Sequence, residues 1–163
     1  MFKKILAFIC LALIPAISAA ATFGIFETVE DKPISELWLN PGFYSYHFQK
    51  NKGLSNSNFG LGAEYRYSTV SSVTLGVLGN SDHQTSHYVG WYWRPLGLGH
   101  ARLGAVVGII DGYPKMLDGG WFLAAIPTVS IDYKNVGANL MIVSGYKDKL
   151  LGSISLQLKL RVF

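Results

Sequence analysis

The chain has 163 residues, half of them apolar and only 15% charged, with a formal net charge of +4. That length fits one domain or one small barrel, and a positive mean hydropathy is unusual for a soluble domain. Without Lys3 and Lys4 the 14 basic residues become 12 against 10 acidic ones, so there is no excess of cations to track a phosphate backbone, which argues against nucleic acid as a partner.

The N-terminus reads as a secretory signal over residues 1–20. Lys3 and Lys4 precede an apolar run from Ile5 to Ile14, and small residues Ser18-Ala19-Ala20-Ala21 follow, placing cleavage after Ala20 or Ala21. The single cysteine, Cys10, lies within this signal, and Ala7-Phe8-Ile9 before it lacks the small residue that precedes a lipidated cysteine. The mature chain is then expected to hold no thiol, disulfide or cysteine-bound metal. No glycine motif of the phosphate-cradling or dinucleotide kind occurs, so no cofactor is expected.

Residues 21–42 mix Phe23, Ile25, Phe26, Leu37 and Trp38 with Glu27, Glu30, Asp31, Lys32 and Glu36, interrupted by Pro33. They fit a short amphipathic helix at a membrane surface or an unstructured lead-in held by a few aromatics. The barrel proper is expected over residues 43–163. Eight strands of roughly 9 to 11 residues can be read at 43–49, 58–68, 71–79, 86–95, 100–110, 123–132, 136–144 and 151–163. Connections alternate between long (50–57, 80–85, 111–122, 145–150) and short (69–70, 96–99, 133–135). In an outer-membrane barrel the long loops face outward and the short turns face the periplasm. No further apolar run approaches the ~20 residues of a helical span. The expected fold is therefore an all-β, eight-stranded antiparallel transmembrane barrel, working as a monomer in the cell outer membrane.

Alternation assigns the faces. Tyr44, Tyr46 and Phe48, Leu61 and Tyr65, Leu75 and Val77, Val89 and Trp91, Val107 and Ile109, Leu140 and Ile142, and Leu156 and Leu158 form rows expected to meet lipid. The terminal Phe163 is one residue out of phase with its row. The opposite rows place Glu64, Arg66, Arg94, Arg102, Lys159 and Arg161 in the lumen near the short turns. Toward the long loops the lumen receives Gly60, Gly62, Leu78, Gly90, Val106, Gly108, Met141 and Val143. A charged floor beneath an apolar, glycine-lined top suits a hydrocarbon chain. Glycines that only permit strand coiling and a closely packed small barrel are the alternative.

Five short motifs occur in a set order: Tyr46-His47, Phe59-Gly60-Leu61-Gly62, Asn80-Ser81, Trp93-Arg94-Pro95-Leu96, and Ile126-Pro127 followed by Val129-Ser130. In their order and spacing, across about residues 44–163, the chain resembles the lipid A palmitoyltransferase (PagP) family of the Gram-negative outer membrane. The resemblance implies an eight-stranded barrel that moves a fatty acyl chain from a phospholipid donor to lipid A. It further implies a catalytic histidine at the outer end of the first strand, matched by His47, and a catalytic aspartate-serine pair at the outer end of the third, matched by Asn80 and Ser81. Asn80 departs from the family's aspartate: an amide can orient a histidine but cannot stabilise an imidazolium as a carboxylate does. Pro127 matches one of the family's prolines that interrupt strand pairing and admit lipid sideways; Val143 and Ser144 stand where another would be.

Acyl transfer needs a nucleophile or activated hydroxyl, a base within reach, and donors for the oxyanion. On this reading His47 is the base, Ser81 takes the acyl group or polarises its carbonyl, and Asn80 orients groups or donates to the oxyanion. Gly60, Gly62, Leu78, Gly90, Val106, Gly108 and Met141 would line the chain's path. His83 and His87 are four apart, a metal-binding spacing on a helix, but they sit in a loop entering a strand, and no metal is expected. A non-catalytic barrel with a structural role and a soluble lipid-binding barrel are the competing readings.

Overall fold

The structure is a computed structural model that describes residues 24–147 and 149–163; the expected signal segment lies outside them. Its strands are β1 (Glu27–Thr28), β2 (Pro33–His47), β3 (Ser57–Ser68), β4 (Ser71–Gly79), β5 (Thr85–Leu98), β6 (Ala101–Ile110), β7 (Phe122–Tyr133), β8 (Val136–Val143) and β9 (Ser153–Arg161). From β2 to β9 each strand pairs antiparallel with its chain neighbours, and β9 returns to β2. The result is a closed eight-stranded barrel. Closure leaves no free edge, which removes the usual hazard of an all-β domain. Among the described residues the only helical element is a short 3-10 turn, Leu117–Gly119.

The N-terminal segment corrects one expectation. No helix forms over residues 24–42; β1 lies outside the barrel and pairs with the end of β5, Glu27 opposite Gly97 and Thr28 opposite Leu96. Val29 N–H donates to Pro95 O (2.8 Å), and Thr69 ties the same segment to the adjacent short turn by donating to Glu30 O (2.5 Å). The first barrel strand then starts at Pro33 rather than Phe43. The mixture of charged and apolar residues there has a period of two: Glu36, Trp38 and Asn40 turn inward while Leu37 and Leu39 turn outward. Ladders to β3 and β9 satisfy both edges of this segment, and that outweighs any helical pattern.

A β-bulge at Pro41-Gly42 breaks the alternation of β2, with register shifts in both of its ladders. Before it, even-numbered residues face the lumen; after it, Phe43, Ser45 and His47 do. Gly42 has φ of 102°, and a Cβ there would collide with the Asn58 carbonyl oxygen, so glycine is required. The bulge is what turns His47 inward.

The outer surface is an apolar belt in which Tyr44, Leu61, Leu75, Val89, Ile142 and Leu158 are exposed. Phe59 and Tyr46 stand toward the loop end; Tyr67 and Trp91, joined by an indole N–H to phenol bond of 2.8 Å, stand toward the turn end. A belt of this extent is compatible with an outer-membrane barrel and is larger than the apolar patches of soluble monomers. Phe163 lies beyond the end of β9, where its backbone still bonds Leu37 of β2, and its side chain is exposed, as is that of Val162.

Inside, the turn end of the lumen is filled by charge of alternating sign. Arg94 meets Glu64 (2.6 Å), Glu64 meets Lys159 (3.2 Å), Lys159 meets Asp132 (3.1 Å), Asp132 meets Arg66 (2.9 Å), Arg66 meets Glu36 (3.1 Å) and Glu36 meets Arg161 (2.8 Å). Lys159 also sits over the ring of buried Trp38 at 4.8 Å. Hydroxyls and amides complete the plug: Ser72 donates to Glu64 (2.7 Å), Arg94 donates to Ser130 (2.9 Å), Ser130 donates to Asn139 (2.7 Å) and Asn139 donates to Gln157 (2.8 Å). The polar floor expected from alternation is therefore present. Arg102 alone among its predicted members stands apart, beside Gly97.

Glu64 faces two buried cations, so neutralising it leaves both short of a counter-charge. Glu64→Gln is expected to destabilise the barrel by about 3–5 kcal/mol, whereas Glu30→Gln, at a carboxylate 76% exposed, should change stability by less than about 1 kcal/mol. Denaturant titration followed by the heat-modifiable gel mobility of the folded barrel measures both.

Candidate active site

The loop end of the lumen is open and built in two levels. The upper chamber, about 140 Å³, is polar and lined by Ser45, His47, Lys52, Ser81, Asp82, Tyr113, Lys115 and Lys149, among others. The lower chamber, about 130 Å³, is apolar apart from a few hydroxyls and amides and runs between Phe43, Leu78, Gly90, Val106, Gly108, Ile126 and Met141. Ser45, Tyr113, Val143 and Ser155 belong to both, so the two chambers are adjacent, one above the other. Each is comparable to an engineered apolar cavity of roughly 150 Å³ that takes benzene. Among the described residues the upper chamber carries three lysines, Lys52, Lys115 and Lys149, and one carboxylate, Asp82, and the lower chamber is hydrocarbon-like.

His47 and Ser81, far apart in the chain, both open onto the upper chamber. The bulge in β2 aims the histidine. The serine is placed by the loop after β4: Ser55 N–H, from the loop after β2, donates to Ser81 O (2.9 Å), and the His83 ring bonds Gly53 O (2.8 Å). The two loops are thereby stitched together. Ser81 is 6% exposed, and its Oγ accepts from Asn58 Nδ2 at 3.2 Å. No hydrogen bond joins His47 to Ser81.

His47 Nδ1 bonds Asn56 Oδ1 at 3.1 Å. An amide oxygen accepts only, so in this arrangement Nδ1 is the donor. The orienting amide is therefore Asn56, which the motif reading did not single out. Asn80 does something else. Buried to 1%, its Oδ1 accepts from the backbone N–H groups of Asp82 (2.9 Å) and Gln84 (3.0 Å), and its Nδ2 donates to Ser86 Oγ (2.9 Å) and Gly112 O (2.8 Å). All of its hydrogen-bonding capacity is used in an Asx-type turn that supports two loops. None is left for His47 or an oxyanion.

Leu78, Gly90, Val106, Gly108 and Met141 line the lower chamber, and Gly60 and Gly62 do not. A Cβ on Gly60 would strike the β4 backbone at Leu78, and one on Gly62 would strike the hydroxyl of Tyr88. Alternation identifies a residue as inward; it does not say whether the space it leaves stays empty. Tyr88 reaches across toward Gly62 and Gly76, packs edge-on to Phe43 with ring centroids 6.0 Å apart, and its buried hydroxyl has no hydrogen-bond partner. With Tyr92 it forms the floor of the chamber. Both tyrosines have the inward parity of Gly90, a signal that the aromatic outward row of β5 obscured.

Tyr113, from the loop after β6, stands at the junction of the chambers. Burial, reinforced by the Asp82 carboxylate, pushes its phenol up to about 12, so it stays a neutral donor. On the side wall, the β7–β8 ladder ends at Thr128 opposite Met141. Above that pair β7 bonds only to β6, and Pro127 has no N–H to offer. The unpaired stretch carries Ala124 and Ile126, which line the lower chamber. His87 lies away from these groups, its Nδ1 3.2 Å from Asp111.

The chain matches no protein-family model and no curated protein. Of the short sequence motifs, Tyr46-His47 closes β2, Asn80-Ser81 follows β4 and Ile126-Pro127 lies where the β7–β8 ladder has ended.

The separate duties of the two amides can be measured. Asn80→Ala is expected to lower stability by about 1–3 kcal/mol, since it strands buried backbone groups, while Asn56→Ala on the exposed loop should stay within about 0.5 kcal/mol. Nitrogen-15 NMR of the His47 ring should show a proton on Nδ1 in the parent chain and a shift of population toward Nε2–H in Asn56→Ala.

Proposed function

We propose that this chain is an outer-membrane acyltransferase that moves a fatty acyl chain from a phospholipid to lipid A. The observation that carries the reading is the coincidence at one mouth of an imidazole held at Nδ1 by Asn56 and a buried serine hydroxyl, next to an apolar chamber. The apolar belt would hold the barrel in the bilayer. The seam at Pro127 would let a chain enter from the side, and Lys52, Lys115 and Lys149 would attract the phosphate groups that donor and acceptor share.

On this reading His47 Nε2 takes the proton of the acceptor hydroxyl as that oxygen attacks the ester carbonyl carbon. Ser81 and the Tyr113 hydroxyl polarise the carbonyl and hold the charge that develops on its oxygen. The bond to the glycerol oxygen of the phospholipid then breaks, and that oxygen leaves with the proton returned by His47. Direct transfer is favoured over an acyl-serine because Ser81 is bonded to Asn58 and not to the base. An amide-oriented histidine gains less stabilisation as imidazolium than a carboxylate-paired one, so turnover should be slow.

His47→Ala and Ser81→Ala should each reduce transfer by at least about a hundredfold while the folded barrel keeps its gel mobility. Mass spectrometry of lipid A with and without the protein measures this; a lipid A unchanged by abundant folded protein would leave a non-catalytic barrel.

Chamber depth should select chain length. A Cβ on Gly90 would meet Val106 at 3.0 Å and Thr74 at 3.4 Å, so Gly90→Met fills the chamber and should shift transfer to shorter chains. Tyr88→Ala removes the floor and should shift it to longer ones, both read from the mass of the added acyl group.

A further inference from the structure

A collar of buried polar side chains separates the two chambers. Ser153, Ser155, Ser45, Asn58 and Ser81 are each at most 6% exposed. They are linked in sequence: Ser153 Oγ to Ser155 Oγ (3.4 Å), Ser155 Oγ to Ser45 Oγ (2.8 Å), and Asn58 Nδ2 to both Ser45 Oγ (3.0 Å) and Ser81 Oγ (3.2 Å). Asn58 Oδ1 has no partner. A buried amide with one pole unused costs stability, and this one lines the apolar chamber directly beneath the candidate serine.

A primary amide has the same outline either way round, and its hydrogen-bond partners decide which pole faces where. A half-turn gives the amide oxygen to the Ser45 and Ser81 hydroxyls, which are otherwise left to share protons among weaker hydroxyl acceptors, and presents Nδ2–H to the shaft. Only one pole can be satisfied by the serines, so the other is available to a ligand. An acyl chain seated below the collar brings its carbonyl oxygen to this level, and a carbonyl selects the donor pole.

We propose that Asn58 is a positioning residue that grips the carbonyl of a bound acyl chain, so that the shaft takes carboxylic esters in preference to alkyl ethers of equal length. This rests on the reading of the shaft as an acyl-chain site. It places the ester carbonyl beside Ser81, within the chamber that His47 lines. It also gives the N-terminal end of β3 a role in recognition that none of the motifs assigns to Asn58.

The test is binding, independent of transfer. Full-length protein, in a detergent too wide for the lumen, is titrated with 1-lauroylglycerol and with 1-O-dodecylglycerol, each displacing a dansyl-labelled fatty acid. The parent chain should bind the ester about fivefold more tightly. Asn58→Leu should bring the ratio of ester to ether affinity to about one, whatever its effect on either affinity alone; a fivefold preference retained by the folded variant overturns the grip. Equal affinity of the parent chain for both compounds overturns the carbonyl grip and leaves the shaft intact as a chain site; this comparison needs no variant to fold. Failure of the parent chain to bind the labelled acid, the ester or the ether overturns the shaft reading and the grip with it.

Discussion

Glu64 is the fixed point of this barrel. It lies 2.6 Å from Arg94 and 3.2 Å from Lys159 and accepts a hydroxyl from Ser72, all in an interior from which water is largely removed. Two buried cations with one carboxylate between them can persist only where the strands are held in one register, because each ion is worth its desolvation only while its partners stay close. The chain of pairs onward through Asp132, Arg66 and Glu36 to Arg161 links β2, β3, β5, β7 and β9. It makes the lumen blind at one end. The two chambers lie at the other end, the apolar one bordered below by Tyr88 and Tyr92.

A second constraint decides what the mouth contains. In a strand with unbroken alternation, His47 would share the outward face of Leu37 and Leu39. The bulge at Pro41-Gly42 inserts one residue and reverses the phase, so that Phe43, Ser45 and His47 enter the lumen while Tyr44 and Tyr46 turn out. The bulge is pinned where the Asn58 carbonyl passes too close for any side chain at Gly42. The residue that excludes a Cβ from the bulge thus also carries the spare amide pole at the collar. Aim of the base and contents of the collar are coupled through one backbone contact between β2 and β3.

The chemistry at the mouth is that of a histidine held by an amide. Asn56 holds the ring through Nδ1 and so fixes its orientation at the mouth. The cationic side chains at the rim and the apolar walls below divide the shaft by polarity along its length, which is the division found in a phospholipid.

Much of this was determined by the sequence itself. Alternation of apolar and polar residues, with glycine and asparagine at the turns, sets the strand count, the two faces and the charged floor, because burial on one side of a closed sheet leaves a period of two whatever the details. The positions of His47 and Ser81 at strand ends were legible for the same reason. What only the tertiary structure decided concerns distances across the barrel. Pro33 to Asn40 reads as amphipathic in two ways, and pairing with β3 and β9 chose strand over helix. Gly60, Gly62 and Gly108 each sit where a neighbouring backbone or the Tyr88 hydroxyl takes the place of a side chain, yet Gly90 and Gly108 border the lower chamber and Gly60 and Gly62 do not, and no local pattern separates the two cases. Asn56, Asn58 and Asn80 are chemically identical in the sequence. Asn80 is set largely by its own turn, bonding Asp82, Gln84 and Ser86 and only Gly112 from afar, whereas the placement of Asn56 against His47 and of Asn58 against Ser45 and Ser81 depends on how the strands pair.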